Sequence, residues 1–334
     1  MTASRPLLAY VLLAIGTLWL LVEVGFVPPR LTLALLEWWP LLLVALGLDL
    51  LVPAARRGPL PVTVYAASGI LLLGVLGVSG RRATAAEPLE HALQPDMRSL
   101  TALIDPGSAR ARIGPAAAGE LVTAAFEGPA PAEARVTGDS EPTLTLRQGR
   151  TRGPQLRRLA WDVALTAELP LDLTLRTGSG GAETDLTALD LAGLTVDGGS
   201  GALELALPGG GRFYRVGLTT GSGSARVRVA PGASLDIDAD TGSGSLHLEV
   251  GDSTDLQLTL DAGSGAVTLD LPDDAPIRLE VTDDGSGRLN LPGYLVRRSG
   301  SGDTGVWQSA AFERGGRVIL VRVVGAGSGS ITVR

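Results

Sequence analysis

The sequence predicts transmembrane α-helices followed by an all-β, single-stranded β-solenoid (β-helix-like) domain with repeats of about 21 residues. Three observations lead to this fold class. Three long apolar runs precede residue 83, a Gly-Ser-Gly cluster recurs after it at a nearly fixed interval, and alternating apolar and polar residues flank the cluster. Apolar runs of about 20 residues match the hydrocarbon thickness of a bilayer, and a period of roughly 20–50 residues is typical of repeat architectures.

The Gly-Ser-Gly cluster sets the period. The first six copies start 21 or 22 residues apart, and the last two intervals, 15 and 27, sum to 42, or two more periods. The copies begin at Gly178, Gly199, Gly221, Gly242, Gly263, Gly285, Gly300 and Gly327. Glycine permits positive φ without a Cβ penalty, so each repeat is predicted as strand, glycine corner, strand and turn.

Aliphatic side chains recur in phase with the glycines. Two columns step by 21 residues: Leu235, Leu256 and Ile277, and Ile237, Leu258 and Leu279. Successive strand residues point to opposite faces, so these columns are predicted to stack as interior ladders that no single repeat could bury alone. A low-complexity linker would not keep apolar alternation in phase with glycine.

Composition restricts the possible partners. The chain has 334 residues and no cysteine, and all 28 basic residues are arginine. The net charge is −7, and the part after residue 82 carries 32 acids against 22 arginines, a net of −10. An acidic surface argues against a nucleic-acid partner, which requires a basic one. Disulfides and thiolate metal sites are excluded.

Residues 1–82 are predicted as a transmembrane module in the lipid bilayer, with spans at about 6–27, 33–52 and 61–80. A signal peptide is the alternative for the first run, but its apolar region is shorter. Three spans place the two ends on opposite sides of the membrane. Flanking arginines do not decide the orientation, and the terminal amine favours an extracytoplasmic solenoid. If one run does not span, the side reverses.

The remaining segments are predicted as a polar linker at 83–99 and a β-solenoid at 100–334. Regular repeats are expected at about 161–292. Short strands with a less regular period are expected before them, at Ala109–Ile113, Glu120–Phe126, Ala134–Thr137 and Thr143–Arg147. Residues 293–334 are expected to form a C-terminal cap that hides a sheet edge.

No catalytic, cofactor-binding or metal-binding residue is predicted, and the protein is expected not to be an enzyme. His91 lies in the linker, and His247 alternates with apolar neighbours and should point outward. The serines lie at glycine corners without a nearby histidine or lysine base. A phosphate loop would need a following helix, whereas a strand follows here.

Two acidic pairs, Asp273-Asp274 and Asp283-Asp284, are expected to be solvated turn residues. Weak surface binding of a cation is the alternative. Calcium-binding β-rolls repeat every nine residues with aspartate after the glycines, and this chain has neither feature.

Two sets of residues resemble a known family. WWPLLLVALGLDLL at 38–51 resembles the transmembrane module of LiaI/LiaF-type bacterial proteins. Residues 161–208 and the ending VWQSAAFERGGRVILVRVVGAGSGSITVR at 306–334 resemble the LiaF C-terminal domain and the wider group of toast-rack, adhesin-like β-solenoids. The resemblance implies a membrane-bound modulator of cell-envelope stress signalling that acts on a sensor kinase. Such proteins often carry four spans, where three are counted here.

The sequence therefore supports two functional hypotheses. The first is a non-enzymatic multi-pass membrane protein whose β-solenoid senses or binds a partner, such as a membrane sensor kinase or another envelope protein, in stress signalling. The alternative is an adhesin-like or envelope-structural protein that binds a surface polymer or associates with copies of itself. Both use extended outer faces, which solenoids commonly offer to partners.

Overall fold

The computed structural model describes residues 88–127, 132–148, 159–283 and 285–334. The predicted spans at 6–27, 33–52 and 61–80 lie outside these residues. Within the described ranges, no helix is long and apolar enough to cross a membrane.

The described residues form 23 strands and one 3-10 turn at Phe312–Arg314. The strands are β1 Leu89–Ala92, β2 Leu100–Gly107, β3 Arg110–Pro115, β4 Glu120–Glu127, β5 Ala132–Thr137, β6 Thr143–Gln148, β7 Ala160–Leu165, β8 Leu171–Thr177, β9 Ala182–Asp185, β10 Leu191–Gly198, β11 Leu203–Leu207, β12 Tyr214–Thr220, β13 Ser224–Val229, β14 Ser234–Thr241, β15 Ser245–Val250, β16 Asp255–Ala262, β17 Val267–Asp270, β18 Ile277–Val281, β19 Arg288–Asn290, β20 Val296–Ser301, β21 Thr304–Gln308, β22 Ile319–Gly325 and β23 Ser330–Val333.

The strands build two large sheets. The eleven-stranded sheet has the order β1-β4-β7-β3-β9-β11-β13-β15-β17-β23-β19, and the twelve-stranded sheet has the order β20-β21-β18-β22-β16-β14-β12-β10-β8-β2-β6-β5. In the regular part, each turn of the chain gives one strand to each sheet and pairs in parallel with the next turn. This is the solenoid-like, all-β arrangement that the repeat predicted.

The predicted alternation decides which side chains enter the core between the sheets. Along β16, Leu256, Leu258 and Leu260 are at most 2% exposed, while Asp255 and Gln257 face solvent. Leu256 pairs with Leu235 and Leu258 with Ile237, as the 21-residue columns predicted. Because every turn adds its apolar row to the same core, burial is continuous along the sheets.

The glycine corners join strands of the two sheets, but positive φ is not their common feature. Among the described corners that continue the ladder, the first glycine has positive φ only at Gly285 (54°) and Gly327 (53°). The shared constraint is close stacking: a Cβ on Gly242 would lie 2.7 Å from the carbonyl oxygen of Gly221. The prediction of glycine at the corner is confirmed, and its predicted reason is wrong for most of the corners.

The C-terminal strands occupy an unexpected place. β22 lies between β16 and β18, and β23 lies between β17 and β19. Ile319 and Val321 therefore separate the predicted neighbours in the two interior columns, whose members pair with β22 on either side. The prediction that the whole of 293–334 caps the end is wrong for residues 319–334, which lie inside both sheets.

The hairpin formed by β20 and β21 does cover one end of the twelve-stranded sheet. β21 pairs antiparallel with β18, and β20 is the edge strand, with every residue exposed. Gly300 belongs to this hairpin, so its Gly-Ser-Gly cluster is not a corner of the ladder. Gly327 takes the corner position instead, and a Cβ added there would meet backbone oxygens of Ala262 and Gly263.

The N-terminal end is also rearranged relative to chain order. β2 lies between β8 and β6, and β3 lies between β9 and β7. The four short strands predicted before residue 150 are present as β3 to β6. Part of the predicted linker is structured, because β1 pairs antiparallel with β4. Nearby, the rings of Phe126 and Trp161 pack edge to face with centroids 5.1 Å apart.

Candidate functional site

The residues considered for catalysis lie apart in the fold. His91 is in β1, where its Cα pairs with that of Val122. His247 is in β15 between buried Leu246 and Leu248 and points outward, as predicted. Its Nε2 lies 2.9 Å from Asp270 Oδ2 on the neighbouring strand. Within the described residues, no serine hydroxyl hydrogen-bonds to either histidine, so no nucleophile–base pair is assembled.

The corner serines form an exposed column along one margin of the solenoid. Ser264 and Ser328 occupy neighbouring corners, and the Ser328 hydroxyl donates to Ser264 Oγ at 3.2 Å. The backbone N–H of Ser264 donates to the Gly242 carbonyl at 2.9 Å. These contacts hold adjacent corners together, and a parallel strand follows each corner rather than a helix that could bind a phosphate.

The acidic pairs lie in turns. Asp273 and Asp274 are exposed between β17 and β18, and the Asp283 carboxylate accepts the backbone N–H of Gly285 at 2.9 Å. Asp284 lies outside the described residues. In the part of the chain that the structure describes, no group of three or more His, Asp or Glu side chains is arranged to hold a metal ion.

A shallow groove of about 590 Å³ runs across the outer face of the twelve-stranded sheet. It crosses β8, β10, β12, β14, β16 and β22 near their glycine corners. Gly217 forms part of its floor, and a Cβ there would meet no atom within 4 Å. The groove exists because one outward position lacks a side chain while the flanking strands carry threonine and aspartate.

The charges of this groove come from one outward column and its neighbour. In the column, Asp197 pairs with Thr219, Thr219 with Asp240, and Asp240 with Asp261. Asp238 is the adjacent outward residue of β14, and it is exposed. Arg176 is the cationic residue at one end of the groove, and the exposed side chain of Val324 lies at the other. The groove is therefore acidic, with one apolar end.

The groove differs from its surroundings in how its charges are compensated. On the eleven-stranded sheet, Arg112 lies 3.7 Å from Asp162 and 3.5 Å from Glu183, and Arg228 lies 3.8 Å from Glu204. By contrast, the groove carboxylates make no ion pair with another described residue; they are Asp197, Asp238, Asp240 and Asp261. The groove thus presents free negative charge to solvent.

Outside the groove, the surroundings of Asp185 and of Tyr214 displace their pKa values. Hydrogen bonds from the Thr187 hydroxyl and, to a smaller extent, from the Thr187 backbone N–H lower the pKa of Asp185 at the end of β9. Burial raises the pKa of Tyr214, whose hydroxyl donates to the Pro208 carbonyl at 2.7 Å. Both contacts stabilise turns between strands, so they belong to the scaffold.

Sequence reasoning left the groove acids unassigned. Their alternation marks them only as outward polar residues, because they belong to no motif. A usable signal is present, since Asp240 and Asp261 are 21 residues apart and therefore occupy one outward column. Arg176 and Asp197 continue the same column at matching offsets.

Fold and surface together define a class: a solenoid-like, two-sheet protein whose polar residues form extended faces. Two family models match separate parts of the chain. Residues 7–85 match the LiaF transmembrane domain, and residues 116–228 match the N-terminal domain of toast_rack, DUF2154. These two matches agree with the resemblance to LiaF-like, toast-rack proteins that the sequence predicted. The first match also indicates a membrane location, and neither matched family is a known enzyme family.

Among solved structures, the chain is similar to a "putative cell adhesion protein" from Clostridium sporogenes ATCC 15579. The sequences are 16% identical, the match covers 74% of this chain and 98% of that chain, and the TM-score is 0.36. This likeness is too low to carry a functional argument. No curated protein matches the sequence.

Proposed function

We propose that this is a non-enzymatic, multi-pass membrane protein whose β-solenoid domain binds a partner and modulates cell-envelope stress signalling. The LiaF-type transmembrane domain supports the membrane role. The observation that carries the interaction role is the acidic groove, whose four carboxylates, on three strands of the twelve-stranded sheet, make no ion pair with another described residue. The proposed partner is a membrane sensor kinase, or another envelope protein, that presents a basic surface.

The groove is costly for the fold, which supports a role outside folding. Asp240 and Asp261 are Cα partners on adjacent strands, and like charges directly opposite each other destabilise a sheet. The opposite outer face also pairs like charges, Glu183 and Glu204, but each of these carboxylates has an arginine within 4 Å. Exposed charge of one sign raises the association rate with an oppositely charged partner, so a basic partner would relieve the repulsion on binding.

The groove is tested by removing charge without changing shape. The variant Asp197→Asn, Asp240→Asn, Asp261→Asn removes three negative charges from the groove. A matched control, Glu183→Gln, Glu204→Gln, Glu249→Gln, removes three from the other outer face. Each replaces the native protein in its host, and stress-dependent transcription is measured with and without an envelope stress. We expect the groove variant to change the transcriptional response and the control to leave it near the wild-type level.

Two results would contradict the proposal. Equal responses from the two variants would show that net charge matters and the groove does not. Unchanged transcription in a deletion strain that loses cell adhesion would favour the adhesin-like alternative. Cross-linking to the kinase that is reduced in the groove variant alone would support a direct contact.

The proposed topology has three spans and an extracytoplasmic solenoid. The natural absence of cysteine permits accessibility mapping with single cysteines at Arg56, Ala83 and Ser222. A membrane-impermeant thiol reagent added to intact cells should label positions 83 and 222 and leave position 56 unlabelled. Labelling of 56 and 83 from the same side would refute the three-span count.

A further inference from the structure

The position of β22 and β23 between two consecutive repeats is the starting point. Along the chain, the repeat containing β18 and β19 directly follows the repeat containing β16 and β17. In space, the C-terminal strand pair separates them in both sheets. The last strands of the chain therefore fill a slot between repeats that are neighbours in sequence.

The slot keeps the register of the repeat. Leu258 pairs with Val321, and Val321 pairs with Leu279. Leu258 and Leu279 are one 21-residue period apart, so they lie in the register that direct stacking of the two repeats would give. Insertion or withdrawal of the strand pair therefore requires no shift along the strands, and the slot accepts one strand pair of matching pattern.

Backbone hydrogen bonds hold the inserted pair on both sides. The Leu256 N–H donates to the Val318 carbonyl at 3.0 Å, and the Ile319 N–H donates to the Pro276 carbonyl at 2.8 Å. The Arg317 guanidinium adds a bond to the Ser253 carbonyl at 2.9 Å. Each contact joins the C-terminal segment to the repeats that border the slot. The same hydrogen bonds would form if the C-terminal segment came from a second copy of the chain.

The connection to the rest of the chain is short and mostly exposed. Residues 309–318 join β21 to β22, and residues 313–317 face solvent. Gly315 and Gly316 have φ of 71° and 114°, a backbone conformation that glycine adopts without strain. Ten residues span roughly 33–36 Å when extended. The strand pair can therefore reach the slot of a second copy when that slot lies within about 33 Å of the end of β21.

We propose that the strand pair 319–333 is exchanged between copies of this chain, so that the C-terminal strands of one copy fill the slot of another. A swapped pair keeps every strand contact of the slot and changes only the connection, which makes domain swapping a low-cost route to a dimer. Location in the same membrane raises the local concentration of the second slot. The partner is a second copy, because the filling strands must carry the register and corner glycines of this repeat.

The test uses the cysteine-free, full-length protein in its membrane. Gln257 and Leu320 are Cα partners on the outer face of β16 and β22, a separation within reach of a disulfide. One copy carries Gln257→Cys and a second, differently tagged copy carries Leu320→Cys. We expect mild oxidation after co-expression to produce a covalent heterodimer. The matched control pairs the Gln257→Cys copy with an Arg226→Cys copy, whose cysteine lies outward on the other sheet.

A third variant carries Gln257→Cys and Leu320→Cys in one chain and checks that these positions pair. It should form a disulfide within the monomer, within the swapped dimer, or both. Heterodimer formation above the Arg226→Cys control supports strand exchange. A heterodimer yield equal to that control, with the disulfide confined to monomers in the double variant, overturns it. Absence of any disulfide in the double variant also overturns it, because β22 would then not lie beside β16.

Discussion

Replacing a corner glycine with alanine should destabilise the solenoid because of stacking. A Cβ on Gly263 would lie 2.5 Å from the Thr241 carbonyl oxygen and closer still to that of Gly242. Ordinary carbon–oxygen contact begins near 3.4 Å, so the corners must separate by about 1 Å. Both obstacles are backbone atoms of the preceding repeat, and they cannot rotate away as a side chain would.

The expected cost follows from the bonds that this separation would break. The Gly263 N–H donates to the Thr241 carbonyl at 2.6 Å, and the Ser264 N–H donates to the Gly242 carbonyl at 2.9 Å. Each backbone bond contributes about 1 kcal/mol net, and overpacking costs about 1–3 kcal/mol. We expect Gly263→Ala to lower the free energy of unfolding by about 2–3 kcal/mol. For a domain of about 250 residues, the melting temperature should fall by roughly 4–12 °C.

Two controls separate stacking from other roles of the corner. Gly217→Ala has the same chemistry, but its Cβ would meet nothing within 4 Å, so it should leave the melting temperature unchanged or slightly raised. Ser264→Ala removes only an exposed hydroxyl contact to Ser328 and should cost at most about 1 kcal/mol. Thermal unfolding of the full-length protein in detergent, followed by circular dichroism, measures all three.

Similar melting temperatures for Gly263→Ala and Gly217→Ala would refute the stacking argument. A stable Ser264→Ala variant that abolishes the signalling response would be more serious. It would give the serine a chemical role and overturn the non-enzymatic interpretation of the corner.

Three further predictions concern the interior and one buried turn. Leu258→Asp should unfold the solenoid, since it buries an unpaired charge in the core, whereas Gln257→Asp should be nearly silent; equal losses in a urea titration would refute the in–out register. The buried Thr241 hydroxyl has no hydrogen-bond partner among the described residues, and an unsatisfied buried polar group is destabilising. Thr241→Val removes that hydroxyl and should raise the free energy of unfolding by about 1–3 kcal/mol. A lower melting temperature for this variant would contradict the argument. Burial raises the pKa of the Tyr214 hydroxyl. The folded state is therefore not penalised below the ordinary tyrosine pKa of about 10, and it loses stability as the pH rises above that value, because the unfolded chain ionises first. Tyr214→Phe should reduce this loss, measured as the fall in melting temperature at alkaline pH.

The sequence predicts the repeat much better than it predicts the order of the repeats. Columns such as Leu235 and Leu256 stack as their 21-residue spacing indicated, because alternation and period are properties of each repeat. Which repeat lies beside which is a different question. Ile319 and Val321 carry the same alternation as Ile277 and Leu279, so either pair fits against β16. The periodic pattern contains nothing that chooses between them.

The glycine corners show a second limit of the sequence. Glycine has two distinct uses, which are tolerance of positive φ and tolerance of a close neighbour. A single sequence does not distinguish them, because both uses leave the same residue. Only the 2.7 Å between a Cβ placed on Gly242 and the Gly221 carbonyl oxygen identifies stacking as the reason at that corner. The sequence does not reveal the groove either, because packing does not constrain outward residues and the groove residues form no motif.

The same packing argument explains why this fold places its charged side chains on the outer faces. Inward positions are filled by ladders of aliphatic side chains, and at each corner a Cβ on the stacked glycines would meet the preceding repeat. Outward strand positions are the ones that remain free to vary in charge. On the eleven-stranded sheet, the like-charged partners Glu183 and Glu204 each have an arginine within 4 Å. On the other sheet, Asp240 and Asp261 lie side by side. Since folding gains nothing from that juxtaposition, a cationic partner is the physical reason we infer for it.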